Sequence, residues 1–114
     1  MKMLVQRCDI WMADLPWRKG DVLWGVHPAI IVSSDRTNRR SGVVTVVPLT
    51  SASKPPMPSH VVLSGYGLKK RSVALAEQLT TVPKDCLRRW IGSLAGSEKM
   101  AEVERAVKEQ LEVA

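Results

Sequence analysis

Apolar positions in the first ninety-odd residues fall in short runs separated by Gly, Pro, Ser and charged residues; in the last seventeen they recur every three or four residues. The first pattern predicts strands and the second a helix. Residues 9–15 form a first strand that Pro16 ends, and a loop over residues 17–27 bracketed by glycines follows. Residues 28–33 are almost wholly apolar, which predicts a central strand buried on both faces. A polar connection over residues 34–42 has room for one helical turn. The third strand, 43–50, contains Pro48, which lacks a ladder donor and marks an edge or bulge just before Thr50. After a Pro- and Ser-rich loop at 51–59 come strands at 60–64 and 72–79, separated by a turn at 65–67 and a basic cluster at 69–71. Pro83 suits the first position of a helix over 84–91 that Gly92 ends. The last helix, about 98–113, takes Ser97 as N-cap and places Met100, Val103, Val107, Leu111 and Ala114 on one face, turned to the core or to a partner. Strands first and a helix last predict an α+β fold built on a compact, curved sheet.

Length and composition narrow this picture. With 114 residues, 45% hydrophobic and 25% charged, the chain suits one soluble domain over 1–114 and is too short for two. The net charge of +6 favours an anionic partner, and it is uneven: 14 of 17 bases but only 6 of 11 acids precede residue 98. That leaves a body of +8 and a tail of −2. There is no Phe, one Tyr and four Trp, of which Trp17 and Trp24 bracket Arg18 and Lys19. Cys8 and Cys86 have neither CxxC spacing nor a His cluster beside them, so both are expected as reduced thiols in a cytoplasmic protein, with no metal and no cofactor. No apolar run approaches the roughly 20 residues that span a bilayer, and the opening Met1-Lys2-Met3-Leu4 lacks a signal-peptide apolar stretch. Gly20 and Gly25 are too sparse for a phosphate-cradling loop.

Four short strings then appear in order. They are Arg7-Cys8-Asp9-Ile10-Trp11-Met12-Ala13-Asp14-Leu15; His27-Pro28-Ala29-Ile30-Ile31-Val32 with Asp35 and Asn38; Val46-Val47-Pro48-Leu49-Thr50-Ser51 with Lys54 and Pro58-Ser59-His60-Val61; and Ser72-Val73-Ala74-Leu75-Ala76-Glu77-Gln78-Leu79-Thr80-Thr81-Val82 with Lys84, Leu87, Ile91 and Gly92. In content and spacing, through about residue 94, they resemble the MazF/PemK toxin family. The resemblance implies a small SH3-like β-barrel with short helices and a C-terminal helix, acting as a homodimer. It also implies the toxin half of a bacterial type II toxin–antitoxin pair: a metal-independent endoribonuclease that cuts single-stranded RNA, often mRNA, at short sequences. The implied partners are that RNA and a cognate antitoxin whose acidic C-terminal segment lies across the same groove, with DNA reached only through the antitoxin.

Metal-free RNA cleavage needs a group to take the 2′-OH proton, and fixed donors where charge gathers on the phosphorane. The resemblance assigns the second task to Thr50 and to an Arg just before the Pro that opens the second strand, where this chain has His27. Val22 likewise stands where the family loop carries an acid. Either His27 takes over, since a histidine titrates near neutrality and can act as acid, base or cation, or the site is weakened, because imidazole does not replace a bidentate guanidinium. The expected RNA contacts are Trp24, Arg18, Lys19, Ser51, Lys54, His60, Glu77 and Gln78. Each has a plainer alternative: Trp17 and Trp24 stack on bases or pack under their loop, Lys54, Lys69, Lys70 and Arg71 steer phosphates or are solvated charges, and His60, Glu77 and Gln78 serve the site or the fold. Arg36, Arg39 and Arg40 are expected on a solvated helical turn, and Cys8, in place of the usual Gly, as a small buried side chain. Two rivals share the fold: a silent module that binds antitoxin and nucleic acid without cleavage, and a gyrase poison, whose Trp-Gly-Ile type of ending is replaced here by Leu111-Glu112-Val113-Ala114.

Overall fold

A computed structural model describes residues 4–114, so the expectation drawn from the Met1-Lys2-Met3 opening lies outside the described residues. The elements run β1 (Asp9–Leu15), β2 (Gly25–Ile31), α1 (Asp35–Arg40), β3 (Val43–Thr50), β4 (His60–Leu63), β5 (Ser72–Leu75), β6 (Thr80–Pro83), β7 (Leu87–Ser93) and α2 (Glu98–Leu111). Short 3-10 turns at Ala76–Gln78 and Lys84–Cys86 follow β5 and β6. The strands form one antiparallel sheet in the order β4-β5-β3-β2-β1-β7, with β6 also paired to β3. The expected SH3-like α+β architecture holds, with the sheet open between β4 and β7 rather than closed into a barrel.

Alternation explains why the second half of β2, Ala29–Ile31, is wholly apolar. Ala29 and Ile31 point to one side, into a cluster with Trp11, Ala13, Val44 and Val46; Ile30 points to the other, with Ile10, Val47 and Leu49. A strand between β1 and β3 with core on both faces has no side left to be polar. Met100, Val103 and Ala106 of α2 cover the second cluster. Ser97 sets the helix start, accepting from Met100 N at 3.1 Å and donating to the Leu94 carbonyl at 2.6 Å. Leu111, expected on the apolar face, is exposed. Pro48 is buried where β3 changes partner, after pairing β6 through residues 43–46 and before pairing β5 at Leu49 and Thr50, so its missing N–H interrupts no continuous ladder.

Four expectations are corrected. The second strand begins at Gly25, so the preceding loop is shorter than read. The single strand expected over 72–79 is instead β5 followed by a 3-10 turn and β6. No helix forms over 84–91: Pro83 closes β6, and residues 87–93 pair with β1. Gly92 is not a helix stop but a point of close approach, since a Cβ there would collide with the Tyr66 carbonyl, as one on Gly67 would with the Ile91 carbonyl. The turn at 65–67 is thereby pressed onto β7. Cys8 is half-buried rather than buried, and its φ of 77° is the left-handed backbone that glycine adopts without strain. Burial pushes the thiols of Cys8 and Cys86 up, and both are free. Arg36, Arg39 and Arg40 are exposed on α1, as expected.

Candidate functional site

The close packing of the 65–67 turn on β7 raises one wall of a groove of about 320 Å³. Its floor is apolar, from Met12, Val26, Pro28 and Ile91, and its rim carries His27, Ser51, Lys69, Lys70 and Arg89. No carboxylate lines it, and among the described residues none of those three cations has an ion-pair partner. The groove is therefore a positive cleft with an apolar floor, suited to an anion that carries flat or apolar groups.

Each rim residue is set by the sheet. His27 lies on β2 opposite Ala13 of β1, and its Nε2 is 3.0 Å from the Trp24 carbonyl. A carbonyl oxygen only accepts, so the proton of neutral His27 sits on Nε2 and Nδ1 is left as a free acceptor. The last pair of the β2–β3 ladder is Ala29 with Pro48, and His27 and Thr50 each lie two residues beyond it, where β2 and β3 part. Thr50 is buried, and its Oγ1 accepts from Ala52 N at 3.2 Å, shaping the chain so that the next residue, Ser51, reaches the groove.

The other expected contacts lie elsewhere. Trp24, with Trp17, lines a separate shallow depression beside Asp14 and Arg88; at 55% and 67% exposure neither indole packs under its loop. Arg18 and Gln78 border a narrow crevice next to Pro48. Gln78 ties the loop down, its Oε1 accepting from Leu23 N at 2.6 Å and its Nε2 donating to the Asp21 carbonyl at 3.0 Å. Lys19 and Lys54 are exposed and do not line the groove. His60 and Glu77 form their own network: His60 Nε2 is 2.9 Å from Glu77 Oε2, and Ser59 Oγ donates to Glu77 Oε1 at 2.9 Å. Burial by itself would raise the Glu77 carboxyl, but hydrogen bonds from His60, the backbone and Ser59 outweigh it and hold the carboxyl below its ordinary value. His60 faces a hollow beside Glu102, Arg105 and Glu109 of α2, not the groove.

Sequence reasoning missed Arg89. It was hidden in a span read as helix; as a strand, 87–93 places Arg89 opposite Met12, in line with the groove floor.

A curled antiparallel sheet with one covering helix and an acid-free, cation-rimmed groove defines a small anion-binding domain. The particular kind follows from comparison: residues 6–111 match the model of the PemK-like, MazF-like toxins of type II toxin–antitoxin systems, and the chain belongs to that family. It is 34% identical over 117 residues to the endoribonuclease MazF9 of Mycobacterium tuberculosis, covering 96% of this chain and 98% of that one. It is 35% identical over 107 residues to the endoribonuclease MazF of Staphylococcus saprophyticus, covering 91% and 88%. Among solved structures, MazF from Deinococcus radiodurans superposes with a TM-score of 0.84 at 20% identity over 98% of this chain and 100% of that one. A mycobacterial endoribonuclease in complex with its cognate antitoxin superposes with a TM-score of 0.78 at 24% identity, over 96% and 97%. Both show the shared fold.

Proposed function

We propose that this chain, working as a single domain and as a homodimer, is the toxin of a type II toxin–antitoxin pair, an endoribonuclease that cuts single-stranded RNA in the groove rimmed by His27. The observation that carries the reading is the groove itself: its rim holds a histidine, a hydroxyl from Ser51 and three cations with no ion-pair partner among the described residues, and no carboxylate to repel a phosphate. Relatives at 34% and 35% identity named as endoribonucleases support it.

In this reading His27 Nδ1 accepts the proton of the ribose 2′-OH as that oxygen attacks the adjacent phosphorus. The P–O5′ bond breaks, the leaving oxygen takes a proton from solvent, and the products are a 2′,3′-cyclic phosphate and a 5′-hydroxyl. Negative charge peaks on the non-bridging oxygens, where Ser51 and the rim cations would meet it in this reading. The step needs no metal. Among the described residues no three His, Cys, Asp or Glu side chains converge on a metal-binding arrangement, and no helix is long and apolar enough to cross a membrane. The setting we infer is the bacterial cytoplasm, where an antitoxin with an acidic segment occupies the same groove.

The test is incubation of the purified chain with a long mixed-sequence single-stranded RNA in EDTA. Fragments ending in 2′,3′-cyclic phosphate are expected. Binding without cleavage, or cleavage abolished by EDTA and restored by a divalent cation, overturns this mechanism.

A further inference from the structure

Adjacent on β7 are two arginines with opposite fates. Arg88 is committed: its Nη2 is 3.0 Å from Asp14 Oδ2 and its Nη1 donates to the Asp85 carbonyl at 3.3 Å, beside the depression that holds Trp17 and Trp24. Arg89, one residue on, is exposed and makes no hydrogen bond or ion pair among the described residues. Arg88 falls at a register shift between β1 and β7, so strict alternation does not sort the two guanidinium groups; their contacts do, Arg88 being held by Asp14 and the Asp85 carbonyl while Arg89 lines the groove with no partner among the described residues.

The register shows what Arg89 adjoins. Met12 of β1 pairs with Arg89 on one side and with Pro28 of β2 on the other, and all three line the groove. Arg89 therefore ends a row that crosses the floor, and Pro28 at the other end follows His27 in the chain. Adjacent strands lie about 4.8 Å apart, which puts the Arg89 backbone about 10 Å from that of Pro28. A long side chain running along the apolar row can carry its head toward an anion held at the His27 end, its methylenes resting on Met12. Lys69 and Lys70 also line the groove, as point charges, whereas among the described rim residues Arg89 alone can grip two oxygens of one phosphate. A histidine carries no permanent charge, so the groove's fixed bidentate donor has to come from elsewhere.

We propose that Arg89 is the phosphate-binding residue of this groove, gripping the RNA backbone beside the bond that is cut. The proposal rests on the RNA-cleaving reading of the groove, and its experiment separates the two. Wild type, Arg89→Ala, Arg89→Lys and Arg88→Ala are compared in two assays. One follows cleavage of the mixed-sequence single-stranded RNA. The other follows binding of a 25-nucleotide single-stranded DNA, which has no 2′-OH to attack, as a function of KCl concentration.

Arg89→Ala is expected to lower kcat/KM about 30- to 100-fold and to flatten the slope of log affinity against log salt by about 0.7, the loss of one phosphate contact on a single strand. Arg89→Lys should keep the slope while recovering only part of the rate, which separates a bidentate grip from mere charge. Arg88→Ala should stay within threefold of wild type in both assays. Thermal melting identifies a variant that has failed to fold; if Arg89→Ala does not fold, the Arg89→Lys pair of readouts decides. Wild-type rate and slope in Arg89→Ala, or an Arg88→Ala defect of equal size, overturns the proposal. A wild type that cuts no RNA overturns the functional reading instead, and the salt slope still tests Arg89.

Discussion

The two histidines of this chain occupy opposite kinds of surroundings. His27 is half-exposed on the groove rim, tied by one hydrogen bond to the Trp24 carbonyl, and its Nδ1 is free. His60 has a side chain only 7% exposed, donates to Glu77, and keeps its Nδ1 buried with no partner. Both stand at or near the start of a strand in strings that resemble one family, so residue type and spacing make them equal candidates. Solvent access and hydrogen-bond commitment separate them: a base must present a lone pair to substrate, the role proposed for the half-exposed His27, whereas the imidazole of His60 is committed to Glu77 and buried. His60 instead supplies a donor that keeps a partly buried carboxylate satisfied.

The hardest test of this contrast is removal of each imidazole in turn. His27→Ala is expected to lower kcat/KM for RNA by about 10²- to 10⁴-fold, the usual worth of a positioned acid–base group. It should shift urea stability by no more than about 0.5 kcal/mol, since the side chain holds one exposed hydrogen bond. His60→Ala should do the reverse. It strands Glu77 and empties a buried site, at a cost of about 2–3 kcal/mol in urea denaturation, while cleavage per folded molecule stays within about threefold. Equal loss of cleavage in the two variants would erase the distinction.

The same contrast shows what the chain discloses before it is folded. β1, β3 and the N-terminus of α2 were legible because alternation and a Ser cap act locally. The segment from 76 to 93 was not, because Pro83 and Gly92 answer to distant neighbours: Pro83 ends a strand against Val43, and Gly92 makes room for Tyr66. Misreading that segment hid Arg89, whose place depends on pairing with Met12 across 77 residues of chain. Resemblance singled out Thr50 and Ser51, and the departure from it before Pro28 singled out His27; of these, His27 and Ser51 line the groove, while Thr50 is buried and does not. The departure of Glu77, Gln78 and His60 from the groove could not be read that way, since it depends on which face of the curled sheet α2 covers and on where the loop before β2 is tied.

Glu77 offers the finest test of the His60 side. Its carboxyl is held below its ordinary value of 4.5 by the hydrogen bonds of His60, the backbone and Ser59, against the opposing effect of burial. A carboxyl lowered in the folded chain stabilises that chain fully above its unfolded value, and the stabilisation disappears as pH falls through the folded value. Urea stability of the wild type should therefore decline in the acid range below about pH 4.5, apart from any change near neutrality. Glu77→Gln keeps the shape and one acceptor but not the charge. It should cost about 1 kcal/mol at neutral pH, after allowance for a group partly open to solvent. The two stability curves should converge as the pH drops, and cleavage should remain within about twofold. A parallel pair of curves, with no convergence in acid, would mean that the His60–Glu77 bond does not carry the charge-dependent stability assigned to it. A large loss of cleavage in Glu77→Gln would instead return this network to the groove's chemistry and dissolve the contrast between the two histidines.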